Sequence, residues 1–204
     1  VSFVDAAAFP LTFLTAWHML VARAKVTAGE TVLVLAGASG VGQAAIQLAT
    51  LFGARVIATA GSDAKRARAR ELGADEVIDH YGADIAAEAR RLTGKRGVDI
   101  VVEHVGQATW AKSVRALAPG GRLVTCGNTP GWDAAIDLRF LFSRQLSLLG
   151  SYMGTKAELL QAAPLFFAGR LRPLVDAVMP LAGAAHARRR LEAGDVSGKL
   201  VLTP

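Results

Sequence analysis

The stretch that constrains the fold most is Leu33–Thr50, LVLAGASGVGQAAIQLAT. Its apolar start predicts a buried strand, its glycine-rich middle a tight turn, and its end a helix. A strand, a glycine turn and a helix in this order form the first unit of a doubly wound α/β sheet. The free N–H groups at the start of such a helix can hold the pyrophosphate of a dinucleotide. The sequence therefore predicts a nucleotide site at this turn.

The glycine turn departs at one position from the usual G-x-G-x-x-G pattern. Gly37 is expected to allow the tight bend, and Gly42 the close packing of the helix on the strand. Ser39 stands where the middle glycine is expected, and Gly40 beside it leaves room for the phosphates. With Val41 at the helix start, these positions form the predicted pyrophosphate site.

Strand-like and helix-like segments alternate along the chain as far as about residue 172. Short glycine-rich links join them, which is typical of a doubly wound fold. We therefore predict an α/β protein with a Rossmann-like parallel sheet of about six strands and helices on both faces. The predicted strands are 31–36, 55–59, 76–79, 98–103, 122–126 and 146–151.

Composition argues against several classes of function. The net charge is +6, but the basic residues are spread along predicted helices and aromatic residues make up only 6% of the chain. No nucleic-acid partner is therefore expected. No apolar run reaches the roughly 18 residues of a membrane span, and neither a membrane segment nor a signal peptide is predicted. A single cysteine, Cys126, fits a reducing, cytoplasmic location. Because the chain begins at Val1 without a Met, we expect it to be part of a longer one.

Four histidines are the candidate proton-transfer or metal-binding groups. His104 ends the fourth predicted strand, where ligands bind in doubly wound folds, so a position beside a cofactor and a structural role both stay open. His18 is expected to pack in an apolar helix, and His80 and His186 to lie in a loop and on the surface. Neither H-E-x-x-H nor C-x-x-C spacing occurs, so no metal site is predicted and the catalytic residues are unassigned.

Five motifs in a fixed order give the chain a family resemblance. They are VTAGETVLVLAGASGVGQAAIQLATLFGARVIATAGS, ELGADEVID, GVDIVVEHVG, APGGRLVTCG and GKLVL. Together they resemble the medium-chain dehydrogenase/reductase superfamily, in particular its quinone oxidoreductase and zinc-type alcohol dehydrogenase-like branch. The resemblance implies a catalytic domain outside this chain. Residues 28–172 would then be the dinucleotide-binding domain, 1–27 a segment linking it to the catalytic domain, and 173–204 a tail that returns toward that domain.

The same resemblance implies which residues contact a cofactor. The glycine turn corresponds to the pyrophosphate site, and the ends of the fourth and fifth strands to the cofactor edge. The segment after the sixth strand corresponds to the nicotinamide site, together with one residue of an early helix. Zinc-dependent members have a cysteine ligand where this chain has Leu11, so no zinc is expected. The implied residues are Thr15, Gly37, Ser39, Gly40, Val41, Gly42, His104, Val105, Gly106, Gly127, Asn128, Ser151, Tyr152 and Met153.

The end of the second strand predicts NADP(H) rather than NAD(H). NAD-specific folds carry Asp or Glu there to accept hydrogen bonds from the ribose hydroxyls, whereas this chain has Ala60. Without that carboxylate, a 2′-phosphate is not repelled. Gly61 leaves room for it, and Ser62 and Lys65 supply a hydroxyl and a cationic donor at the start of the next helix.

We therefore expect the nucleotide-binding part of an NADPH-dependent oxidoreductase that acts on a quinone, enone, carbonyl or alcohol. The chain alone is expected to bind cofactor and to be inactive. One alternative is a non-catalytic NADPH-sensing or scaffold module. Another is a short-chain reductase using Tyr152 and Lys156, but that class needs both side chains on one helix and a different glycine spacing. A methyltransferase is disfavoured because it also needs an acid at Ala60.

The predicted strand 146–151 indicates a homodimer. Its sequence, LSLLGS, has little polar alternation, so both of its faces should be buried. As the last strand of the sheet it leaves an open edge that can pair with a second copy.

Overall fold

Six parallel strands form the main sheet. The computed structural model describes residues 1–129 and 131–204. The strands are β1 (Thr31–Val34), β2 (Arg55–Ala60), β3 (Glu76–Asp79), β4 (Val98–Glu103), β5 (Leu117–Thr125) and β6 (Ser147–Gly150). Their order is β3-β2-β1-β4-β5-β6, with every neighbouring pair parallel. The order reverses between β1 and β4, and this is the point at which doubly wound sheets bind ligands.

Nine α-helices accompany the strands in the described part of the chain. A π-helical stretch, His18–Arg23, continues α2, and a 3₁₀ turn, Leu181–Gly183, precedes α9. The helices are α1 (Phe3–Ala8), α2 (Pro10–Trp17), α3 (Gly40–Leu51), α4 (Asp63–Glu71), α5 (Ile85–Leu92), α6 (Trp110–Ala116), α7 (Leu138–Ser143), α8 (Lys156–Phe167) and α9 (Ala184–Glu192).

Both faces of the sheet are covered, as the apolar strands predict. Successive residues of β1 belong to different cores: Val32 lies in one and Leu33 in the other, and both are fully buried. The first core includes Phe13 of α2 and Ile46 of α3, and the second includes Ile85 of α5. A parallel sheet buried on both faces explains why its strands are continuous apolar runs. The predicted Rossmann-like fold is therefore confirmed.

The C-terminal part of the chain forms a second, two-stranded parallel sheet. Its strands are β7 (Val175–Pro180) and β8 (Lys199–Thr203). Immediately before β8, the N–H of Gly198 donates to the carbonyl oxygen of Ala38 at 2.7 Å. This bond attaches the tail to the glycine turn, far from it in sequence.

The β6 strand lies at one edge of the main sheet, next to β5 only. This is the position the sequence predicts for it, but the prediction that both of its faces are buried is wrong for the single chain: Leu148 and Leu149 are half-buried, and Ser147 and Gly150 are exposed. Within the described ranges, no helix combines the length and the apolar character that crossing a membrane requires.

Candidate functional site

The glycine turn between β1 and α3 is held tightly by its own backbone. Ser39 caps α3, and its Oγ accepts the N–H of Gly42 at 3.0 Å. A Cβ atom on Gly42 would collide with the carbonyl oxygen of Ala36, and one on Gly37 would lie 2.9 Å from Cδ1 of Ile46. A side chain is therefore excluded at Gly42, whereas one at Gly37 would require the buried Ile46 side chain to move. The start of α3 thus lies directly against the end of β1.

A cavity of about 660 Å³ opens beside this turn, at the carboxyl ends of β1 and β2 and the loop after β3. It brings together five of the predicted cofactor residues: Ser39, Gly40, Gly61, Ser62 and Lys65. We call it the first cavity. Its opposite wall is part of the tail, from Leu191 to Gly198, which the sequence analysis did not assign to the site.

The start of α4 carries the polar groups of the first cavity. The hydroxyl of Ser62 caps this helix and accepts the N–H of Lys65 at 3.3 Å. The Lys65 ammonium donates to the carbonyl oxygen of Gly194 in the tail at 2.6 Å. Ala60, at the end of β2, is 3% exposed and brings no carboxylate here. A cation and a hydroxyl therefore face the cavity at the place where an NAD-specific site would carry an acid.

Two residues after β3 complete the first cavity, and sequence reasoning gave them no role in it. Nδ1 of His80 lies 2.8 Å from Oγ1 of Thr59, which also accepts the N–H of Ala36 at 2.9 Å. Burial, together with the charge of nearby Lys112, lowers the pKa of His80. The exposed ring of Tyr81 packs edge-on against His80. A hydrogen-bonded histidine and an exposed tyrosine ring thus line this wall.

His104 connects the glycine turn to the end of β4. Its Nε2 lies 3.0 Å from Oγ of Ser39. Burial lowers its pKa to about 4, so the imidazole is neutral at pH 7; the nearby Glu103 charge opposes that shift in part. Nδ1 of His104 is buried and has no hydrogen-bond partner among the described residues.

A second cavity, of about 700 Å³, lies at the carboxyl ends of β5 and β6 and the loop after β4. No charged side chain lines it within the described ranges. Nε1 of Trp110 and Oγ of Ser151 are buried there without a described partner, and burial raises the pKa of the Cys126 thiol to about 11. The predicted cofactor residues in this cavity are Gly106, Gly127, Asn128, Ser151 and Tyr152.

Other predicted residues lie outside the linings of both cavities. Thr15 is buried in α2 and donates its hydroxyl to the carbonyl oxygen of Leu11 at 2.8 Å. Val41 and Val105 are half-buried near the two loops, and Met153 is an exposed residue with φ of 53°. These four residues keep their predicted roles only as expectations.

The geometry does not favour a short-chain reductase. Tyr152 lies in the segment between β6 and α8, and Lys156 is the first residue of α8. The two side chains therefore do not share a helix face, which the tyrosine–lysine pair of that class requires.

The residues present do not fit a zinc ion. No cluster of three or more His, Cys, Asp or Glu side chains that could bind a metal occurs in the part of the chain that the structure describes. Leu11, where the family resemblance implies a cysteine ligand, is 52% exposed on α2.

Lys199 is a further residue near the site that the sequence analysis did not single out. Its side chain crosses the start of α3, where a Cβ atom on Gly40 would lie 3.3 Å from Cδ of Lys199. The motif GKLVL contains this lysine, but its closeness to the turn depends on β8 returning across about 160 residues of chain, which no local pattern indicates.

Comparisons with known proteins agree with this geometry. Residues 40–168 match the family model described as zinc-binding dehydrogenase. Human quinone oxidoreductase is 30% identical over 207 residues, which cover 98% of this chain and 62% of that protein. A solved structure titled NAD-dependent alcohol dehydrogenase is 48% identical, with a TM-score of 0.95, and covers all of this chain and 60% of that one.

A third relative was solved with ligands. The 2-octenoyl-CoA carboxylase reductase CinF, in complex with NADP and 2-octenoyl-CoA, is 32% identical with a TM-score of 0.91, over 99% of this chain and 50% of that one. The chain spans about a tenth of the length of several curated relatives and about three fifths of the human quinone oxidoreductase. The matches to the two solved structures cover the glycine turn, the sheet and both cavities, whereas the family model begins at Gly40. The chain therefore belongs to the zinc-binding dehydrogenase family, as a nucleotide-binding domain of the medium-chain dehydrogenase/reductase superfamily.

Proposed function

We propose that this chain is the nucleotide-binding domain of an NADP-dependent oxidoreductase, which transfers a hydride to or from a quinone, enone, carbonyl or alcohol. The observation that carries the proposal is the first cavity. It combines a glycine turn, the start of a helix and a cation, and it has no carboxylate at the end of β2. Those features match the phosphates of NADP(H) better than the free ribose hydroxyls of NAD(H).

The pyrophosphate would lie at the start of α3. Gly40, Val41 and Gly42 are the first residues of that helix, where backbone N–H groups lack helical partners. Ser39 already binds the N–H of Gly42, which leaves the neighbouring N–H groups for an anion. The Lys199 side chain at Gly40 adds positive charge beside the same point.

The 2′-phosphate would bind between Ser62 and Lys65. Lys65 would exchange the carbonyl oxygen of Gly194 for a phosphate oxygen, and an ion pair with phosphate is the stronger of the two bonds. The relative solved with NADP supports this choice. Because another relative is titled NAD-dependent, a preference for NAD(H) is the rival hypothesis that the experiment below must test.

The nicotinamide half of the cofactor would occupy the second cavity. Its neutral lining suits an uncharged carboxamide, and the buried hydroxyl of Ser151 offers an unused hydrogen-bonding group. The backbone groups of Tyr152 and Met153, and Thr15 on α2, would border the ring on the side of the substrate. When bound, the cofactor supplies the hydride, and the protein orients it and shapes the field around it.

The chain alone should bind nucleotide without catalysing turnover. The solved relatives continue well beyond the part that this chain matches, so we propose that segment 1–27 and tail 173–204 meet a catalytic domain that completes the substrate site. Purified chain should therefore not oxidise NADPH in the presence of quinones or enones. Measurable turnover would contradict this part of the proposal.

We also propose that two copies pair through β6. The strand has an open edge in the described fold, and α7, which precedes it in the chain, exposes Leu138 and Phe142 to 66% and 71%. Light scattering should give the mass of a dimer at tens of micromolar, a concentration far above typical dimer dissociation constants of about a micromolar or less. A monomeric mass would contradict the pairing.

Calorimetric titration of the Lys65→Ala variant tests the cofactor choice. We expect NADPH binding to weaken by roughly 1.5–3 kcal/mol, the scale of one charge-assisted hydrogen bond, and NADH binding to change little. The loss should be about 1.5 kcal/mol, because Lys65 must break its hydrogen bond to the carbonyl oxygen of Gly194 before it can bind phosphate. Lys156→Ala, an exposed lysine at the start of α8, is the matched control. Equal or tighter binding of NADH by the unmodified chain would overturn the NADP assignment.

A further inference from the structure

Glu103, the last residue of β4, is the one carboxylate that the described structure buries completely. No Lys, Arg or His side chain lies within ion-pair distance of it in the described ranges. Four donors surround it instead: the N–H groups of Val105 and Gly106 at 2.8 and 3.0 Å, and the hydroxyls of Thr109 and Ser113 at 2.9 and 2.5 Å. A buried group whose neighbours all donate is arranged for a negative charge.

The loop that Glu103 holds is a wall of the second cavity. Gly106 lines that cavity and has φ of 102°, and a Cβ atom there would lie 2.8 Å from Cα of Asn128 in the neighbouring loop. The loops after β4 and β5 therefore meet backbone to backbone. The carboxylate lies one hydrogen bond behind this wall, and its charge also raises the pKa of Cys126, another lining residue.

We propose that Glu103 is a positioning residue that fixes the loop after β4 and, through its buried charge, favours the oxidised over the reduced nicotinamide in the second cavity. This inference rests on the proposed function, since it assumes that the second cavity receives the nicotinamide. NADP⁺ and NADPH carry the same phosphates and differ in the positive charge of the nicotinamide ring. A fixed negative charge close to that ring stabilises only the oxidised form.

The size of the effect depends on the distance between the Glu103 carboxylate and the nicotinamide ring. Two unit charges about 10 Å apart, at an effective dielectric constant of about 20, interact strongly enough to change an equilibrium constant about tenfold. The hydrogen bonds to the loop do not counter this preference, because they are the same with either form of the cofactor. The ratio of the dissociation constants for NADP⁺ and NADPH therefore isolates the contribution of the charge.

Glu103→Gln separates the charge from the hydrogen bonds. The amide oxygen of glutamine can still accept the N–H groups of Val105 and Gly106. Its NH₂ group can donate to Thr109 and Ser113, whose hydroxyls rotate freely to accept. Glu103→Asp keeps the charge on a shorter arm. Glu76→Gln is the matched control. It removes the same charge from the start of β3, an edge strand that lies three strands away from β4.

The experiment is calorimetric titration of each variant of the full chain with NADP⁺ and with NADPH, after circular dichroism has verified its fold. We expect Glu103→Gln to raise the Kd ratio of NADP⁺ to NADPH about tenfold, and the other two variants to change it by less than about threefold. Equal losses for both cofactors in Glu103→Gln would overturn the role of the charge while leaving the proposed function standing. If Glu103→Gln does not fold, Glu103→Asp becomes the test. Because aspartate keeps the charge, a tenfold change in its Kd ratio of NADP⁺ to NADPH would overturn the role of the charge. If the unmodified chain binds neither cofactor, the proposed function fails and this inference with it.

Discussion

The two cavities differ in charge and in how far their polar groups are already paired. In the first, Ser62 and Lys65 are held by hydrogen bonds, and the tail closes the far wall. In the second, no charged side chain lines the described surface, and Trp110 and Ser151 keep buried polar atoms without described partners. Under the proposed function, this difference means that the first cavity would recognise the anionic part of the cofactor, whereas the unpaired groups of the second cavity would be paired only by a bound nicotinamide.

Among the described residues, a side-chain hydrogen bond joins the glycine turn to the loop after β4. Ser39 belongs to the glycine turn and His104 to the loop after β4, and their side chains meet at the point where the strand order reverses. Changes at this junction should affect the whole cofactor, whereas changes at Lys65 or Glu103 should each affect one end. The predictions below test that division.

Gly42→Ala should have the largest effect, because its Cβ would collide with backbone rather than with a flexible side chain. We expect a loss of about 3 kcal/mol or more in the free energy of unfolding, measured by urea titration, and loss of NADPH and NADH binding together. Gly183→Ala is the control, since a Cβ there would meet nothing closer than 3.6 Å and Gly183 lines neither cavity. Wild-type stability in the Gly42 variant would show that the turn is looser than described.

Because His104 is neutral in the folded chain, the free energy of unfolding should depend on pH. The pKa of His104 is lowered to about 4 by burial, below its ordinary value of 6.5. The unfolded chain therefore binds a proton in the range where the folded chain does not. The stabilisation is complete above pH 6.5 and is lost as the pH falls toward 4, by about 2–3 kcal/mol.

His104→Gln should flatten this part of the profile, measured by urea titration from pH 7 to pH 4. His80, whose pKa is lowered as well, contributes over the same pH range in both proteins, so the difference between the variant and the unmodified chain reports on His104. Carboxylates such as Asp99, whose pKa is lowered too, lose their contribution mainly below pH 4. An unchanged slope would mean that His104 is protonated as readily in the folded chain as in the unfolded one.

The sequence predicts the sheet well because its signals are local. The bounds of β3 and β4 agree with the predicted 76–79 and 98–103, since apolar runs between turn residues mark them. It missed α7, Leu138–Ser143, because that helix buries no residue and so has no amphipathic pattern to detect. It placed Val41 at the start of α3, one residue after the observed Gly40, where the Ser39 side chain caps the helix.

The site was predictable only where local sequence defines it. The glycine turn and the missing acid at Ala60 can be read directly from the residues. The tail wall, the bond from Lys65 to Gly194 and the place of Lys199 cannot, because each joins positions more than a hundred residues apart. Glu103 was passed over for a different reason: its four partners are nearby in sequence, but only the loop geometry turns them toward one carboxylate.

Two serine caps give the smallest and most selective test. Ser39 and Ser62 each begin a helix and accept one N–H, at 3.0 and 3.3 Å. Ser39→Ala should cost about 1 kcal/mol of stability, the usual value of a helix cap. It should also remove the hydrogen-bond partner of Nε2 of His104. Ser62→Ala should cost less, because that cap is exposed and its hydrogen bond is longer.

The effects of these two variants on binding should differ in kind. The pyrophosphate is common to both cofactors, so Ser39→Ala should weaken NADPH and NADH by the same factor, whereas Ser62→Ala should weaken NADPH alone, because only NADPH carries the 2′-phosphate. Calorimetry of both variants with both cofactors gives the four dissociation constants needed, and urea titration gives the stability of each variant. A selective loss of NADPH in Ser39→Ala would contradict the division between the junction and the first cavity, since it would mean that the 2′-phosphate is bound at the glycine turn itself.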